Sequence, residues 1–473
     1  MVGLLQDPTR HERAVERLAS SYRAIPQDAP VRLAKRTSNL FRARAATSAP
    51  GLDVSELDGV INVDLQARTA DVQGMCTYEH LVDATLALGL APLVVPQLKT
   101  ITLGGAVTGL GIESTSFRSG LPHESVLEMD VLTGSGEIVT ATPDGPNSEL
   151  FHGFPNSYGT LGYATRLRIA LEPVEPFVSL RHLRFHDLEQ LMATMGQVVA
   201  DGAHEGVRVD YLDGVVFSAT EAYLTLGTQT SAPGPTSDYT GQQIYYRSIQ
   251  HDSADPKIDR MTIRDYLWRW DTDWFWCSRA FGAQHPVLRR LWPARYRRSS
   301  FYWKLMALDH RFDIADRIEA RHGRPPRERV VQDVEVPLAR TAEFLHWFLR
   351  EIPIEPLWLC PVRSRDHWPL YPLQPGQTYV NVGFWSSVPR QPADAVDATG
   401  SAPPHSPDTG VANRLIEDKV TGLDGHKSLY SDSYYDQEQF WRLYGGDAYA
   451  QLKRHYDPQS RLLDLYSKAV LRK

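Results

Sequence analysis

Glycines and hydroxyl side chains form the pattern with the clearest chemical meaning in this sequence, in residues 101–120. The segment reads ITLGGAVTGLGIESTSFRSG and holds five glycines with threonines and serines between them. Glycine lets a backbone approach a ligand closely, and outward-turned N–H groups with neighbouring hydroxyls suit a pyrophosphate. Composition alone fits a glycine-rich turn without a ligand equally well.

Two standard nucleotide-binding motifs do not describe this segment. A Walker loop requires Gly-Lys-Ser/Thr, and the sequence has no lysine between Lys99 and Lys257. Part of the segment imitates the spacing of a dinucleotide-binding GxGxxG loop, but Gly120 and Pro122 interrupt the helix that such a loop must open. A phosphate-binding role therefore requires a different nucleotide-binding fold.

A second group of candidate residues lies near the C-terminus, in the segment SLYSDSYYDQEQFW at residues 428–441. In an extended conformation, Tyr430, Asp432 and Tyr434 would share one face because side chains alternate. Such a face can supply a proton and orient its acceptor. Glu113, directly after the glycines, is a further candidate for proton handling. Core tyrosines and a surface carboxylate explain the same residues equally well.

Composition divides the chain into two parts with different tasks. All eleven tryptophans lie at or beyond Trp268, whereas the glycine segment lies in the half without tryptophan.

The net charge of -7 argues against a nucleic-acid partner, because proteins that bind nucleic acid normally have a surplus of basic residues. The three cysteines are far apart, and no Cys/His cluster has ligand spacing, so the sequence predicts neither disulfides nor a metal site.

A basic and aromatic run occupies residues 288–306, which read LRRLWPARYRRSSFYWKLM. It contains five arginines, one lysine, five aromatic residues and no acidic residue. This composition suits peripheral docking on an anionic lipid surface, and it also suits a packed segment with solvated arginines. No stretch approaches the ~20 apolar residues of a membrane span. The expected location is cytoplasmic, with peripheral contact at the inner face of a membrane left open.

The elements that would position these residues mix hairpins with short helices. Before Pro173 the pattern predicts a helix at 9–24, hairpins at 60–73 and 124–141, a helix from 77 to 88 and a strand at 163–171. Beyond it, the pattern predicts a helix at 188–199, strands at 207–212 and 222–226, and an exposed insertion at 389–410. This order favours an α+β fold over a regular parallel array.

Several segments together resemble a known flavoprotein family. They are RTSNLFR at 36–42, PQL at 96–98 followed by the glycine segment, ELFHGFPNSYGTLG at 149–162, YVNVGFW at 379–385, and the segment at 428–441. Along nearly its whole length, the sequence resembles the vanillyl-alcohol-oxidase/PCMH-type FAD-binding oxidoreductases. Within that group it is similar to the sterol delta-24 reductases and to bacterial methylene-fatty-acyl reductases.

The resemblance implies a two-domain PCMH-type fold with a mixed α/β substrate cap. Residues 1–173 would form the FAD-binding domain and 174–435 the cap, and 436–473 would return to the FAD-binding domain. The implied cofactor contacts are Thr102, Gly104, Gly105 and Ala106 at the pyrophosphate; Gly109, Glu113, Ser114 and Ser116 beside the flavin; and Gly159, Leu161, Gly162 and Tyr163 at the adenosine side or the floor.

The resemblance also places Ser38, Asn39 and Leu40 in a loop that holds glycines in many family members and the flavin-linking histidine in some. The sequence has no histidine between His11 and His80. A covalent bond from this loop is therefore not expected, and the implied cofactor is dissociable FAD.

The implied activity is reduction of an isolated carbon–carbon double bond in a lipid, with NADPH or NADH as electron donor. An isolated alkene accepts hydride poorly, so we expect an acid to protonate it before the hydride transfer. The favoured substrate is a 10-methylene fatty-acyl phospholipid, whose reduction gives a methyl branch. The alternatives are a sterol delta-24 reductase, an FAD-dependent alcohol oxidase that uses oxygen, and a lipid-binding protein with a vestigial flavin site.

Overall fold

The structure is a computed structural model that describes residues 8–35, 41–42, 51–312, 317, 321–323, 325–390 and 410–473. Most of the insertion predicted at 389–410 lies outside the described residues. Two large antiparallel sheets and the helices around them form the described chain, which confirms the predicted α+β class.

The strands build a six-stranded sheet, an eight-stranded sheet and two sheets of two strands each. In chain order they are β1 Arg32–Leu33, β2 Gly51–Leu52, β3 Val60–Asp64, β4 Thr69–Gln73, β5 Leu90–Pro92, β6 Val126–Thr133, β7 Ile138–Ala141, β8 Gly162–Pro173, β9 Phe177–Phe185, β10 Ala203–His204, β11 Val207–Arg208, β12 Tyr211–Ser218, β13 Glu221–Thr230, β14 Lys257–Thr262, β15 Arg327–Pro337, β16 Leu357–Arg363, β17 Thr378–Pro389 and β18 His426–Lys427. The first sheet has the order β3-β4-β8-β6-β7, with β5 also paired to β8, and the second has the order β14-β9-β13-β12-β16-β17-β15-β18.

Most of the helices are short. Within the described ranges they are α1 Pro8–Ala24, α2 Tyr78–Leu86, α3 Leu103–Gly109, α4 Ser116–Ser119, α5 Ser148–Gly153, α6 Leu188–Asp201, α7 Tyr245–Ser248, α8 Ile263–Leu267, α9 Pro286–Leu291, α10 Ser299–Phe312, α11 Leu338–Glu351, α12 Val411–Gly422, α13 Gln437–Leu443, α14 Gly446–Tyr456 and α15 Leu465–Ala469. Of these described helices, none combines the length and the apolar character needed to cross a bilayer.

Local sequence signals explain several boundaries. Thr77 precedes α2, and its hydroxyl accepts a hydrogen bond from the His80 backbone N–H at 3.3 Å. Asp187 caps α6 in the same way through Gln190, and Gly202 ends that helix in the left-handed conformation. These side chains satisfy N–H groups that the first turn of a helix leaves without partners.

The second sheet has one face packed with aliphatic side chains and an opposite face that carries buried acids among aromatic residues. On β15, Val334 and Val336 pack in a cluster with residues of α6 and α11, which cover the outer face. Because side chains alternate along a strand, Asp333 and Glu335 project from the opposite face. This inner face is turned toward the glycine segment of the first sheet's domain.

The C-terminal helices pack on the domain of the first sheet. Leu452 of α14 lies against Gly153 at the end of α5, where an added Cβ would come within 2.1 Å of a Leu452 methyl carbon. The Tyr456 hydroxyl donates to Glu149 at 2.6 Å. β8 ends at Pro173 in the first sheet, and β9 begins at Phe177 in the second. The chain therefore crosses to the second sheet after β8 and returns near its end.

Candidate active site

One cavity lies between the glycine segment and the inner face of the second sheet, with an empty volume of about 1180 Å³ including its mouth. Its first wall contains Lys35, Phe41, Pro96, Gln97, Leu98, Thr100, Ile101, Thr102, Gly105, Thr108, Gly109, Leu110, Gly111, Ile112 and Tyr158. Its second wall contains Trp274, Phe275, Asp333, Trp358, Asn381, Trp385, Ser428 and Tyr430.

The first wall offers backbone to the cavity at Gly105, Gly109 and Gly111, and glycine also allows close packing next to it. Thr102 caps α3 by accepting a hydrogen bond from the Gly105 backbone N–H at 3.2 Å. A Cβ on Gly104 would lie 2.6 Å from the Gly74 carbonyl oxygen, so only glycine allows this close packing. A Cβ on Gly109 would already touch the Tyr158 ring at 3.4 Å. A cofactor that approaches the backbone closely fits such a wall.

The structure distributes the predicted cofactor contacts in three ways. Thr102, Gly105 and Gly109 line the cavity. Six others are buried but are absent from the described lining: Gly104, Ala106, Glu113, Ser114, Ser116 and Leu161. Gly159, Gly162 and Tyr163 form the turn after Tyr158 and the start of β8, and they too are absent from that lining.

The loop predicted at Ser38, Asn39 and Leu40 lies outside the described residues. Phe41, which follows it, lines the cavity, and its backbone N–H donates to the Tyr430 carbonyl oxygen at 2.9 Å. The chain next to the loop is thus tied to the second wall. Sequence analysis did not single out Tyr158 as a contact, although it directly precedes Gly159 in the motif at 149–162.

The second wall holds a carboxyl group and a phenol in hydrogen-bond contact. Asp333 accepts a hydrogen bond from the side-chain amide of Asn381 at 2.9 Å and is also hydrogen-bonded to Tyr430. The Trp385 indole N–H donates to the Tyr430 hydroxyl oxygen at 2.9 Å. Gly383, opposite Asp333 in the β15–β17 ladder, leaves room for this group, since a Cβ there would lie 2.5 Å from the Asp333 Oδ1.

Burial raises the pKa values of the acidic groups on and beside this wall. It raises the pKa of Asp333 to about 6, although hydrogen bonds from Asn381 and Tyr430 favour the ionised form. The pKa of Tyr430 lies well above its usual value, because of burial first and the nearby Asp333 charge second. Glu335 hydrogen-bonds to Tyr371 and Ser428, and burial raises the pKa of its carboxyl well above the usual range.

Of the predicted catalytic residues, the structure brings only Tyr430 into the described lining of the cavity. Asp432 forms an ion pair with Arg472 at 3.1 Å, and Tyr434 packs against the same guanidinium, 5.4 Å from its ring centre. Tyr430 is thus separated from Asp432 and Tyr434, because a turn at residues 429–431 replaces the extended conformation expected there. Asp333, Asn381 and Trp358 were missed; Asn381 lies in the segment YVNVGFW at 379–385, whereas no local signal marked the other two.

Glu113 belongs to a buried charge cluster beside the cavity. Its carboxylate lies 3.0 Å from Arg269, whose guanidinium also binds Asp213 at 2.8 Å. Asp213 accepts further hydrogen bonds from the indole N–H groups of Trp270 and Trp358, both at 3.2 Å. Burial raises the pKa of Glu113, and Arg269 opposes the shift. The cluster therefore connects the glycine segment to Trp358 of the second wall.

Comparisons with known proteins agree with this geometry. A model of the FAD binding domain matches residues 13–142. The delta(24)-sterol reductase of Homo sapiens is 26% identical over 436 residues, which cover 86% of this chain and 75% of that protein. The Arabidopsis thaliana enzyme of the same name is 25% identical over 446 residues, 88% of this chain and 76% of that protein. Cytokinin dehydrogenase 10 of Oryza sativa is 27% identical over 263 residues, 50% of this chain and 47% of that protein.

The chain is therefore an FAD-dependent oxidoreductase that resembles the vanillyl-alcohol-oxidase/PCMH class of flavoproteins. Within this class it resembles the delta(24)-sterol reductases. The first wall, called the glycine wall below, fits FAD for two reasons. Its glycines let a nucleotide approach the backbone closely, and Tyr158 offers an aromatic ring beside them. Across the described ranges, no group of three or more His, Cys, Asp and Glu residues is placed to hold a metal ion.

Replacing Gly109 by leucine tests the cofactor wall. The leucine side chain would extend toward Tyr158 into the cavity, and such overpacking costs about 1–3 kcal/mol, which corresponds to roughly 5- to 150-fold weaker FAD binding. Flavin titration by fluorescence quenching measures the affinity. Gly422→Leu is the matched control, because no atom lies within 4 Å of a Cβ at Gly422. Equal affinities of the two variants would contradict the assignment.

Proposed function

We propose that this protein is an FAD-dependent reductase of an isolated carbon–carbon double bond in a lipid. The observation that carries the proposal is the Asp333–Tyr430 pair, which faces the glycine wall across an aromatic cavity. Relatives named delta(24)-sterol reductase match more than four-fifths of the chain and favour a sterol side chain as substrate. The 10-methylene fatty-acyl group stays a prediction that the substrate assay below tests.

The reduction needs an acid, because an isolated alkene has no carbonyl group to stabilise the charge left by hydride addition. Bound FAD supplies a hydride in its reduced form. Asp333 supplies the proton: its raised pKa keeps a protonated fraction near neutral pH, and it faces the cavity. Protonation of one alkene carbon leaves positive charge on the other, and the indole rings of Trp274 and Trp358 in the cavity wall can stabilise that charge.

Three neighbours position the acid. Asn381 and Tyr430 hold the Asp333 carboxyl by hydrogen bonds, and Trp385 holds the Tyr430 hydroxyl. The Trp385 ring is itself stacked on Phe275, with ring centres 4.2 Å apart. An acid whose rotamer is restrained in this way loses little freedom at the moment of proton transfer.

The decisive experiment separates the two half-reactions under anaerobic conditions. The FAD-loaded protein is reduced with NADPH or NADH, and then mixed with a sterol bearing a side-chain double bond or with a 10-methylene fatty-acyl phospholipid. Reoxidation with formation of the saturated lipid supports the proposal and identifies the substrate. Reoxidation by neither lipid, together with peroxide production from an alcohol in oxygen, would support an oxidase instead. In deuterated water the saturated product should carry solvent deuterium, whereas its absence would rule out an exchangeable acid.

The lipid-dependent half-reaction should depend on pH with a defined sign. Only the protonated Asp333 carboxyl can act as the acid, and its pKa is raised to about 6. We therefore expect the rate to be highest below pH 6 and to fall about tenfold per pH unit well above it. Stopped-flow reoxidation across the pH range measures this dependence. A rate that rises through pH 6 would show that an ionised carboxylate is needed.

A further inference from the structure

We propose that the protein docks on the surface of an anionic lipid bilayer through the basic apolar face, which comprises Val287, Leu288, Arg290, Leu291, Arg295 and Tyr296. Three apolar residues of α9 project into solvent, with exposed fractions of 61% for Val287, 48% for Leu288 and 74% for Leu291. Tyr296 is 37% exposed on the next turn of chain. Arg290 and Arg295 are exposed beside them. Apolar side chains mixed with cations suit the boundary between headgroups and acyl chains.

The other arginines of the run at 288–306 bind groups of the protein itself. Arg289 is buried and pairs with Asp273 at 2.7 Å. Arg297 is buried as well and donates to the backbone carbonyls of Thr240 and Gly241 at 2.6 and 2.7 Å. Arg298 pairs with Glu79 at 2.8 Å. The docking surface therefore contains fewer residues than the run at 288–306, and it begins one residue earlier, at Val287.

Charge complementarity favours an anionic membrane as the partner of this face. The sequence has no acidic residue between Asp273 and Asp309, although the whole chain has a net charge of -7. The net charge of the protein therefore opposes its approach to an anionic surface, whereas the charge of this region favours it. Lys304 on α10 adds a further exposed cation. Basic residues near an anionic surface each add to the attraction, which falls off within a Debye length.

The face is continuous with the cavity through the first turn of α10. Phe301 packs on Tyr296, with ring centres 4.7 Å apart. Two residues later, Trp303 packs on Phe41 at 4.8 Å and on Trp274 at 5.2 Å, and these two rings line the cavity. Docking would bring the aromatic edge of the cavity toward the bilayer. Delivery of a membrane lipid to it rests on the proposed function, whereas the docking itself does not.

Vesicle sedimentation of the FAD-loaded full chain tests the docking. The vesicles contain phosphatidylcholine alone or phosphatidylcholine mixed with phosphatidylglycerol. We expect binding to the mixed vesicles only, and we expect the double variant Arg290→Glu/Arg295→Glu to weaken it by at least roughly 30-fold, since each basic residue contributes about fivefold. The control Arg442→Glu/Arg454→Glu makes the same charge change at exposed positions of α13 and α14. It should bind normally. Leu291→Ser should weaken binding, and Leu65→Ser, at another exposed leucine, should not.

The outcomes separate this proposal from the proposed function. Equal binding to neutral and mixed vesicles, no binding to either, or equal losses in the two arginine pairs would each overturn the docking proposal. Reoxidation by detergent-dispersed lipid serves as the second readout. The Arg290→Glu/Arg295→Glu variant should keep it while losing reoxidation by vesicle-embedded lipid. If no lipid reoxidises the wild-type flavin in either form, the proposed function fails and the vesicle-binding result still decides the docking.

Discussion

The Asp333→Asn variant should transfer reducing equivalents to the lipid about 10²- to 10⁴-fold more slowly than the wild type, because it lacks the general acid. Asparagine keeps the size of the side chain and can still hydrogen-bond to Asn381 and Tyr430, but it cannot release a proton at neutral pH. FAD binding and reduction by the nicotinamide should stay unchanged. Stopped-flow spectroscopy of each half-reaction measures the two rates separately.

Asp432→Asn is the matched control for that variant. It makes the same chemical change directly after the turn at 429–431, where the carboxylate pairs with Arg472 outside the described lining of the cavity. We expect its lipid half-reaction to stay within about twofold of the wild type, as usual for residues away from the chemistry. If the rate of the lipid half-reaction falls strongly in Asp432→Asn and stays unchanged in Asp333→Asn, the acid is Asp432, as the sequence predicted. Equal losses in both half-reactions of Asp333→Asn would indicate a structural defect.

Arg269→Met should lower the free energy of unfolding by about 3–5 kcal/mol at neutral pH, because it leaves two buried carboxylates without their shared cation. Glu113 and Asp213 both bind Arg269 within 3.0 Å, and all three side chains are buried. Urea denaturation followed by tryptophan fluorescence measures the loss. Part of it should be recovered at lower pH. Burial already raises the pKa of Glu113, so the folded variant takes up a proton before the unfolded chain does.

Glu113→Gln separates the missing cation from a simple loss of contacts. Glutamine keeps the size of Glu113 and an acceptor for the Ser114 backbone N–H, and the Arg269–Asp213 pair stays balanced. The expected cost is about 1 kcal/mol or less. If Glu113→Gln destabilises the protein as much as Arg269→Met, the explanation by uncompensated charge is wrong. If it abolishes lipid reduction while the fold is intact, Glu113 acts in proton handling as the sequence suggested.

The positions of Asp333 and Asp432 show where sequence reasoning reached its limit. The alternation assumed for residues 430–434 is a local rule that holds only in an extended chain. Phe41, far away in sequence, bonds to the Tyr430 carbonyl and helps to hold the turn at 429–431 instead. Asp333 lies in RERVVQDVEVP, whose acids look like the solvated face of an ordinary strand. Its burial depends on how two sheets face each other, which no local pattern encodes.

The sequence by itself determined the elements whose geometry depends on neighbours in the chain. The hairpin of Val60–Asp64 and Thr69–Gln73, the cap at Thr77 and the glycine wall each follow from residue types a few positions apart. Tertiary structure alone decided which acid faces the cavity and which arginines face solvent. Gly383 makes room for the Asp333 carboxyl only because β15 pairs with β17 in one register, and Arg269 meets Glu113 only because the fold brings these distant segments together. Burial and charge pairing arise from contacts between distant segments, so they appear only when the chain is folded.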